Sequence, residues 1–348
     1  MNPINRKIID AVIAKAEQIC PDSLALIGIY GSVATGDEYE KSDLDLMILI
    51  KDNDGWKLGT GFILEDTQIG YDIYCTNWDG LKWDAGCHHA QLSKLLDSKI
   101  VYVKDNEALE ILNQLQEQTK SFLQSEDRFE RVHELIEKAK IAYANACLYE
   151  ELGKTRINAS DVILSLLDAI MIFHGCYFKR GVKRIFDELS QFPLDTAFLE
   201  NMRSIPKSKD VSELQKLMKS LILYVENYTL RQKELNKPSA DSISGTYEEM
   251  YSNWRNKVEE AANADDVFSS FMNMCSLQGM ISEVSENTAI GSYNIMADFD
   301  ADCLENNVKL YDAFLADYEK IYAKTGLRVN RFADVDEFVA SYTKTIIE

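Results

Sequence analysis

Asp43 and Asp45 stand two positions apart, and ten residues separate Asp43 from the pair Gly31-Ser32, in the stretch Leu26-Ile-Gly-Ile-Tyr-Gly-Ser-Val-Ala-Thr-Gly-Asp-Glu-Tyr-Glu-Lys-Ser-Asp-Leu-Asp-Leu-Met-Ile-Leu-Ile50. Side chains alternate faces along a β-strand. A strand carrying these aspartates at its start therefore points both carboxylates one way and turns Leu44 and Leu46 toward the core. Two carboxylates on one face repel unless a cation sits between them or one stays protonated. Hard divalent ions such as Mg²⁺ take such oxygen ligands and complete their shell with substrate phosphates. The chemistry this spacing predicts is metal-assisted phosphoryl or nucleotidyl transfer. Gly31 suits it, because a backbone without Cβ can approach a phosphate closely. The helix expected after it would offer N–H groups to the anion, with the Ser32 hydroxyl as a further donor. Ser42 either contacts a phosphate or caps the turn before the strand. The plainer reading is a solvent-facing edge strand and an ordinary turn; the joint occurrence favours the site.

The stretch resembles the DNA polymerase β superfamily of nucleotidyltransferases, whose pattern is hydrophobic-Gly-Ser, a spacer, then Asp-hydrophobic-Asp. That resemblance implies a third carboxylate on a neighbouring strand. Asp72 matches it, within Gln68-Ile-Gly-Tyr-Asp-Ile-Tyr-Cys75, whose β-branched and aromatic residues read as a strand. By the same resemblance, Asp43 and Asp45 hold Mg²⁺ on a nucleoside triphosphate, and a second ion shared with Asp72 binds the acceptor hydroxyl. Asp72 is alternatively the general base, as is a glutamate of the helical region (Glu134, Glu150 or Glu151).

The elements that position these residues follow from periodicity. Helical spacing over residues 4–19 ends at Pro21-Asp22, and strands are expected at Leu24–Tyr30, Leu44–Ile50 and Lys99–Val103, with Phe62–Glu65 and Gln68–Cys75 as a strand pair or one interrupted strand and a helix over 86–96. This predicts a small α/β domain with a mixed sheet and flanking helices over residues 1–105. Beyond it the pattern turns helical (107–119, 127–152, Ser160–Phe178, Val211–Glu234, 246–285 and 303–324), which predicts an all-α helical-bundle domain over 106–348. The turn-rich segment 236–245 is the best internal linker. A nucleotidyltransferase domain followed by helices is similar to the aminoglycoside and lincosamide nucleotidyltransferases. The likeness is specific over about residues 24–103 and only architectural afterwards.

Charge narrows the substrate class. The chain of 348 residues has 37 Lys and Arg against 57 Asp and Glu, a net charge of −20. Residues 241–348 alone hold 20 acidic and 8 basic side chains. Polyanions are held through Lys and Arg contacts to phosphate, so nucleic acid is disfavoured and a small cationic acceptor is expected, with ATP as the nucleotide. No apolar run reaches the roughly 20 residues of a membrane span, and a cytoplasmic location is the expectation. Oligomeric state stays open, a homodimer included. Seven scattered cysteines without a Cys-x-x-Cys pair argue against disulfides and structural zinc; Cys87-His88-His89 reads as a helix start with ordinary histidines.

Other readings carry less. Arg128 and His133 fit the Arg-x4-His signature of HEPN ribonucleases, but such pairs arise often by chance and the acidic surface opposes RNA. Asp37, Glu38, Lys138, Lys140, Lys179, Arg180, Lys183 and Arg184 read as solvated charges, with one or two of the cations reaching a triphosphate. The rival functions are an enzyme attaching AMP to a protein, as small antitoxin relatives do, and a nucleotide-binding regulator without turnover.

Overall fold

The computed structural model describes residues 3–230 and 237–344. The chain divides into two compact units, Met1–Arg231 and Gln232–Glu348. The first combines a small mixed sheet with helices; the described part of the second is helical. The end of the helix expected to run to Glu234, and Asn236 of the expected linker, lie outside the described residues.

In the first unit, helix α1 (Pro3–Ile19) precedes strand β1 (Leu24–Ile29), the short helix α2 (Gly31–Thr35) and strand β2 (Leu46–Ile50). A hairpin of β3 (Thr60–Leu64) and β4 (Ile69–Ile73) leads into β5 (Cys75–Thr76), α3 (Trp78–Ala85), α4 (Ser93–Leu96) and β6 (Lys99–Val103). The main sheet has the order β5-β2-β1-β6; β1 is antiparallel to β2 and β6, and β2 runs parallel to β5. The β3–β4 hairpin is a separate two-stranded sheet. Both faces of β1 and β2 are buried. Ile9, Val12 and Ala16 of α1 pack with Leu24, Ile27, Ile29, Ile48 and Ile50 on one face, whereas Leu81, Leu95, Ala108 and Leu112 pack with Leu26, Met47 and Leu49 on the other. This double burial explains the unbroken apolar runs at Leu24–Ile29 and Leu46–Ile50.

Helices α5 (Asn106–Gln124), α6 (Arg128–Cys147), α7 (Leu152–Phe173), α8 (Ile185–Leu189), α9 (Thr196–Ser204) and α10 (Val211–Thr229) complete the unit. Their core runs through Leu135, Ala139, Leu166, Ile170, Met218 and Val225. Cys87, Ala90 and Leu92 of the α3–α4 connection join this core, and the Phe178 N–H donates to the Ala90 carbonyl at 2.8 Å. The sheet and the helices are thus packed into one body.

The second unit holds α11 (Ala240–Ile243), α12 (Thr246–Met250), a π-helical turn at Tyr251–Arg255, α13 (Asn256–Asn263), α14 (Val267–Asn287), α15 (Leu304–Lys324) and α16 (Val335–Lys344). Tyr311, Phe314, Tyr318 and Tyr322 of α15 form the aromatic spine of its core.

Several boundaries differ from the periodicity. The second strand begins at Leu46, so Asp43 and Asp45 precede the strand that was expected to carry them. The β1–β2 ladder ends at the Ile29–Leu46 pair, with a last bond from the Tyr30 N–H to the Asp45 carbonyl at 3.1 Å, because Gly31 then turns the chain away with φ +67°. Alternation nonetheless persists through this extended segment: Leu44 and Leu46 are buried, and Asp43 and Asp45 are half-buried. Residues 86–92 are turn, bend and irregular chain rather than helix, with Cys87 at φ +52°. The helix expected over 127–152 stops at Cys147, and α7 starts at Leu152; apolar spacing continues on both flanks, so the spacing does not mark this corner. The 246–285 stretch breaks at Ala264–Asp266, where Asp265 takes φ +54°.

Candidate active site

Gly31, Ser32 and Asp45 meet where β1 and β2 end. A Cβ on Gly31 would lie 1.9 Å from Asp45 Oδ2 and 2.7 Å from its Cγ. Together with the positive φ, this close approach explains why glycine occupies the position. The backbone N–H of Ser32 donates to the Asp45 carboxylate, so it is committed to a protein partner rather than aimed outward. Five residues of α2 give too little aligned dipole for the anion-binding helix start that the sequence suggested. Thr35 closes the turn by donating to the Gly31 and Ser32 carbonyls at 3.1 and 3.2 Å.

Burial, and then the charge of Asp43, push the Asp45 carboxyl above its ordinary 3.8; the Ser32 N–H partly offsets both. Asp43 also acts on Tyr71 of β4. Tyr30 feels the whole neighbourhood: burial and then Asp45, Asp84, Asp43 and Asp72 push its hydroxyl up to about 12. The three predicted aspartates therefore share one field, together with Asp84, which the sequence reading missed. Asp72 is exposed on β4 opposite Gly61, outside the close pair of Asp43 and Asp45. Among the described residues no three His, Cys, Asp or Glu side chains converge as a ready metal cage. The donor set of the close pair nevertheless fits a hard divalent cation. Its two carboxylates repel each other, Asp45 is squeezed against a glycine backbone, and neither has a basic partner among the described residues.

Ser42 serves the loop. Its hydroxyl accepts from the Tyr39 N–H at 2.9 Å, and its own N–H donates to the Tyr39 carbonyl at 2.9 Å. Asp37 in the same loop is not the solvated charge that the sequence suggested. The Arg184 guanidinium grips it through Nε and Nη2 at 2.8 and 2.7 Å, and this holds the Asp37 carboxyl below its usual range. Lys183 lies 5.4 Å from the Tyr39 ring centroid. The basic segment after α7 thus clasps the loop that links Gly31-Ser32 to Asp43.

The same segment is tied to the sheet. Tyr177 donates to Asp97 at 2.8 Å, two residues before Lys99, which pairs with Ile29 at the motif end of β1. A cavity of about 540 Å³ lies along it, lined by Tyr177, Lys179, Arg180 and Glu188. Glu188 accepts the backbone N–H groups of Lys179 and Arg180 at 3.0 and 2.9 Å, leaving both side-chain cations without an ion pair among the described residues.

Asp84, 5% exposed, is paired with Lys94 at 2.9 Å and His89 at 3.2 Å. Burial opposes its charge, but the hydrogen bonds from these two groups hold its carboxyl below 3.8. His88 stacks on Trp83 at 4.0 Å and meets Arg131 at 2.6 Å, while burial pushes the Cys87 thiol up to about 12. This trio therefore works in packing and pairing. Arg128 of the ribonuclease-like pair is spent on the Phe173 and Ser125 carbonyls and on the face of Phe129. Among the described residues no helix is long and apolar enough to cross a membrane. No family model matches the chain, and no curated protein matches it either.

Proposed function

We propose that the chain is a Mg²⁺-dependent nucleotidyltransferase that moves a nucleoside monophosphate, AMP from ATP, to a hydroxyl of a small cationic acceptor and releases pyrophosphate. The observation that carries this reading is the Gly31–Asp45 approach. A half-buried carboxylate is pressed onto a glycine turn beside a second carboxylate, without a basic partner among the described residues. A fold accepts that electrostatic cost where a cation is to be held.

Asp43 and Asp45 would hold the ion, which supplies charge neutralisation on the triphosphate and on the developing transition-state oxygens. The acceptor oxygen forms a bond to the α-phosphorus, the bond from that phosphorus to the pyrophosphate oxygen breaks, and the hydroxyl proton passes to a carboxylate. Asp72, exposed and within the same field, is the candidate for that proton. Lys179 and Arg180 are candidates for the charge of the departing pyrophosphate. The exposed carboxylate of Asp72, with the net charge of −20, favours a cationic acceptor such as an aminoglycoside.

The test is pyrophosphate release from each nucleoside triphosphate with Mg²⁺ across a panel of aminoglycosides and lincosamides. Release that needs one nucleotide and one acceptor, and that vanishes in Asp45→Asn, supports the reading. Release that persists unchanged in both Asp43→Asn and Asp45→Asn removes it.

A further inference from the structure

On the face of β4 away from Asp72, the β3–β4 hairpin and α1 enclose a groove of about 330 Å³. Ile4, Ile8 and Val12 line it from the helix, and Leu58, Phe62 and Ile73 from the other side. Its remaining helical lining is Lys7, Ala11 and Lys15. These sit at four-residue spacing along one face of α1, so the two lysines stand about 12 Å apart along the rim. Neither lysine makes an ion pair among the described residues, although the neighbouring Arg6 pairs with Asp10 at 3.0 Å. In a chain of net charge −20, two lysines without an ion pair among the described residues, lining an apolar trough, favour a ligand with an apolar body and an anionic head. The volume is near the lower end for small-molecule sites.

We propose that this groove binds a medium-chain fatty carboxylate. The alkyl chain lies over Ile8, Val12 and Phe62, and the carboxylate meets Lys7 or Lys15. The site is independent of the chemistry at Asp43 and Asp45, and its test needs no turnover.

Calorimetric titration of the full chain with octanoate and decanoate, below their micelle concentrations, reads the site directly. One decanoate binds per chain, about 15-fold tighter than octanoate, because each added methylene is worth about fourfold. Decyltrimethylammonium binds at least about tenfold more weakly, and Lys7→Gln/Lys15→Gln removes the preference for the anion. Ala11→Trp, at an exposed position on the rim, blocks binding while leaving the melting temperature unchanged. The proposal is overturned if decanoate does not bind, if Ala11→Trp binds it undiminished, or if the cation binds as well as the anion. A wild-type dimer that Ala11→Trp converts to monomer also overturns it, and assigns the groove to a second copy of the chain.

Discussion

Asp37 and Arg184, 147 residues apart, face each other through two hydrogen bonds of 2.7 and 2.8 Å in a fork geometry that only arginine provides. One lies in the loop between the Gly31-Ser32 turn and Asp43; the other ends the basic segment after α7. Replacing Arg184 by Ala or Lys should loosen residues 37–42 while barely moving the global melting temperature, since a half-buried pair in a surface loop is still partly screened by solvent. Amide exchange in that loop should rise in both variants, and any nucleotide KM should rise more than kcat falls. Arg184 holds the Asp37 carboxyl below its unfolded value. The contact is therefore fully present above the ordinary carboxylate range and lost as pH falls through the lowered one. Unchanged loop exchange in Arg184→Ala would mean that the pair positions nothing.

Gly31→Ala should destabilise the fold by about 2 kcal/mol or more, because a left-handed backbone strains any Cβ and this one meets Asp45 Oδ2 at 1.9 Å. Made on an Asp45→Gly background, the same substitution should cost only the backbone strain, about 1–2 kcal/mol. Denaturant titration of the four proteins measures the difference as a coupling. Equal costs in both backgrounds would deny the contact.

Asp45→Asn should raise stability at neutral pH and remove transfer. Its carboxyl is pushed up by burial and by Asp43. A raised carboxylate costs stability above its folded pKa, and the neutral amide avoids that cost while still accepting from the Ser32 N–H. Loss of the cation's neutralising effect should lower kcat/KM by about 1,000-fold, the scale of several kcal/mol of transition-state stabilisation. Mg²⁺ should raise the wild-type melting temperature and leave Asp43→Asn/Asp45→Asn unmoved. Equal Mg²⁺ stabilisation of both proteins would place the ion elsewhere.

Asp168 of α7 is 7% exposed and accepts the Ala90 N–H at 2.9 Å. Burial pushes its carboxyl from 3.8 to about 6, with His89 and Lys138 too weak to restore it. The folded protein then binds more protons than the unfolded chain between these values, so this group's contribution falls as pH rises from about 4 through about 6. Asp168→Asn should gain on the order of 2 kcal/mol relative to wild type at pH 8 and little at pH 4. Unfolding midpoints of both proteins across that range check the sign. A difference that grows toward acid would contradict it.

Period and punctuation in the sequence determine the two apolar strands around the motif, the glycine turn between them and most helices. Each depends on neighbours along the chain: side-chain alternation, helical spacing, Pro21-Asp22 as a breaker, and Gly31 where the backbone must reverse. The pairing of Asp43 with Asp45 was legible for the same reason, although the strand expected to carry them starts one residue after Asp45. The tertiary structure alone decided which distant charges answer one another. Asp37 looked solvated until Arg184 reached it, Asp84 had no signal until Lys94 and His89 paired with it, and Asp168 was one of several polar residues along α7. The corner at Leu148–Glu151 was invisible because both flanking helices keep the same spacing. Local pattern reports which way a side chain faces. What it meets there depends on packing between segments far apart in the chain, and hydrogen bonding and desolvation act only at that meeting.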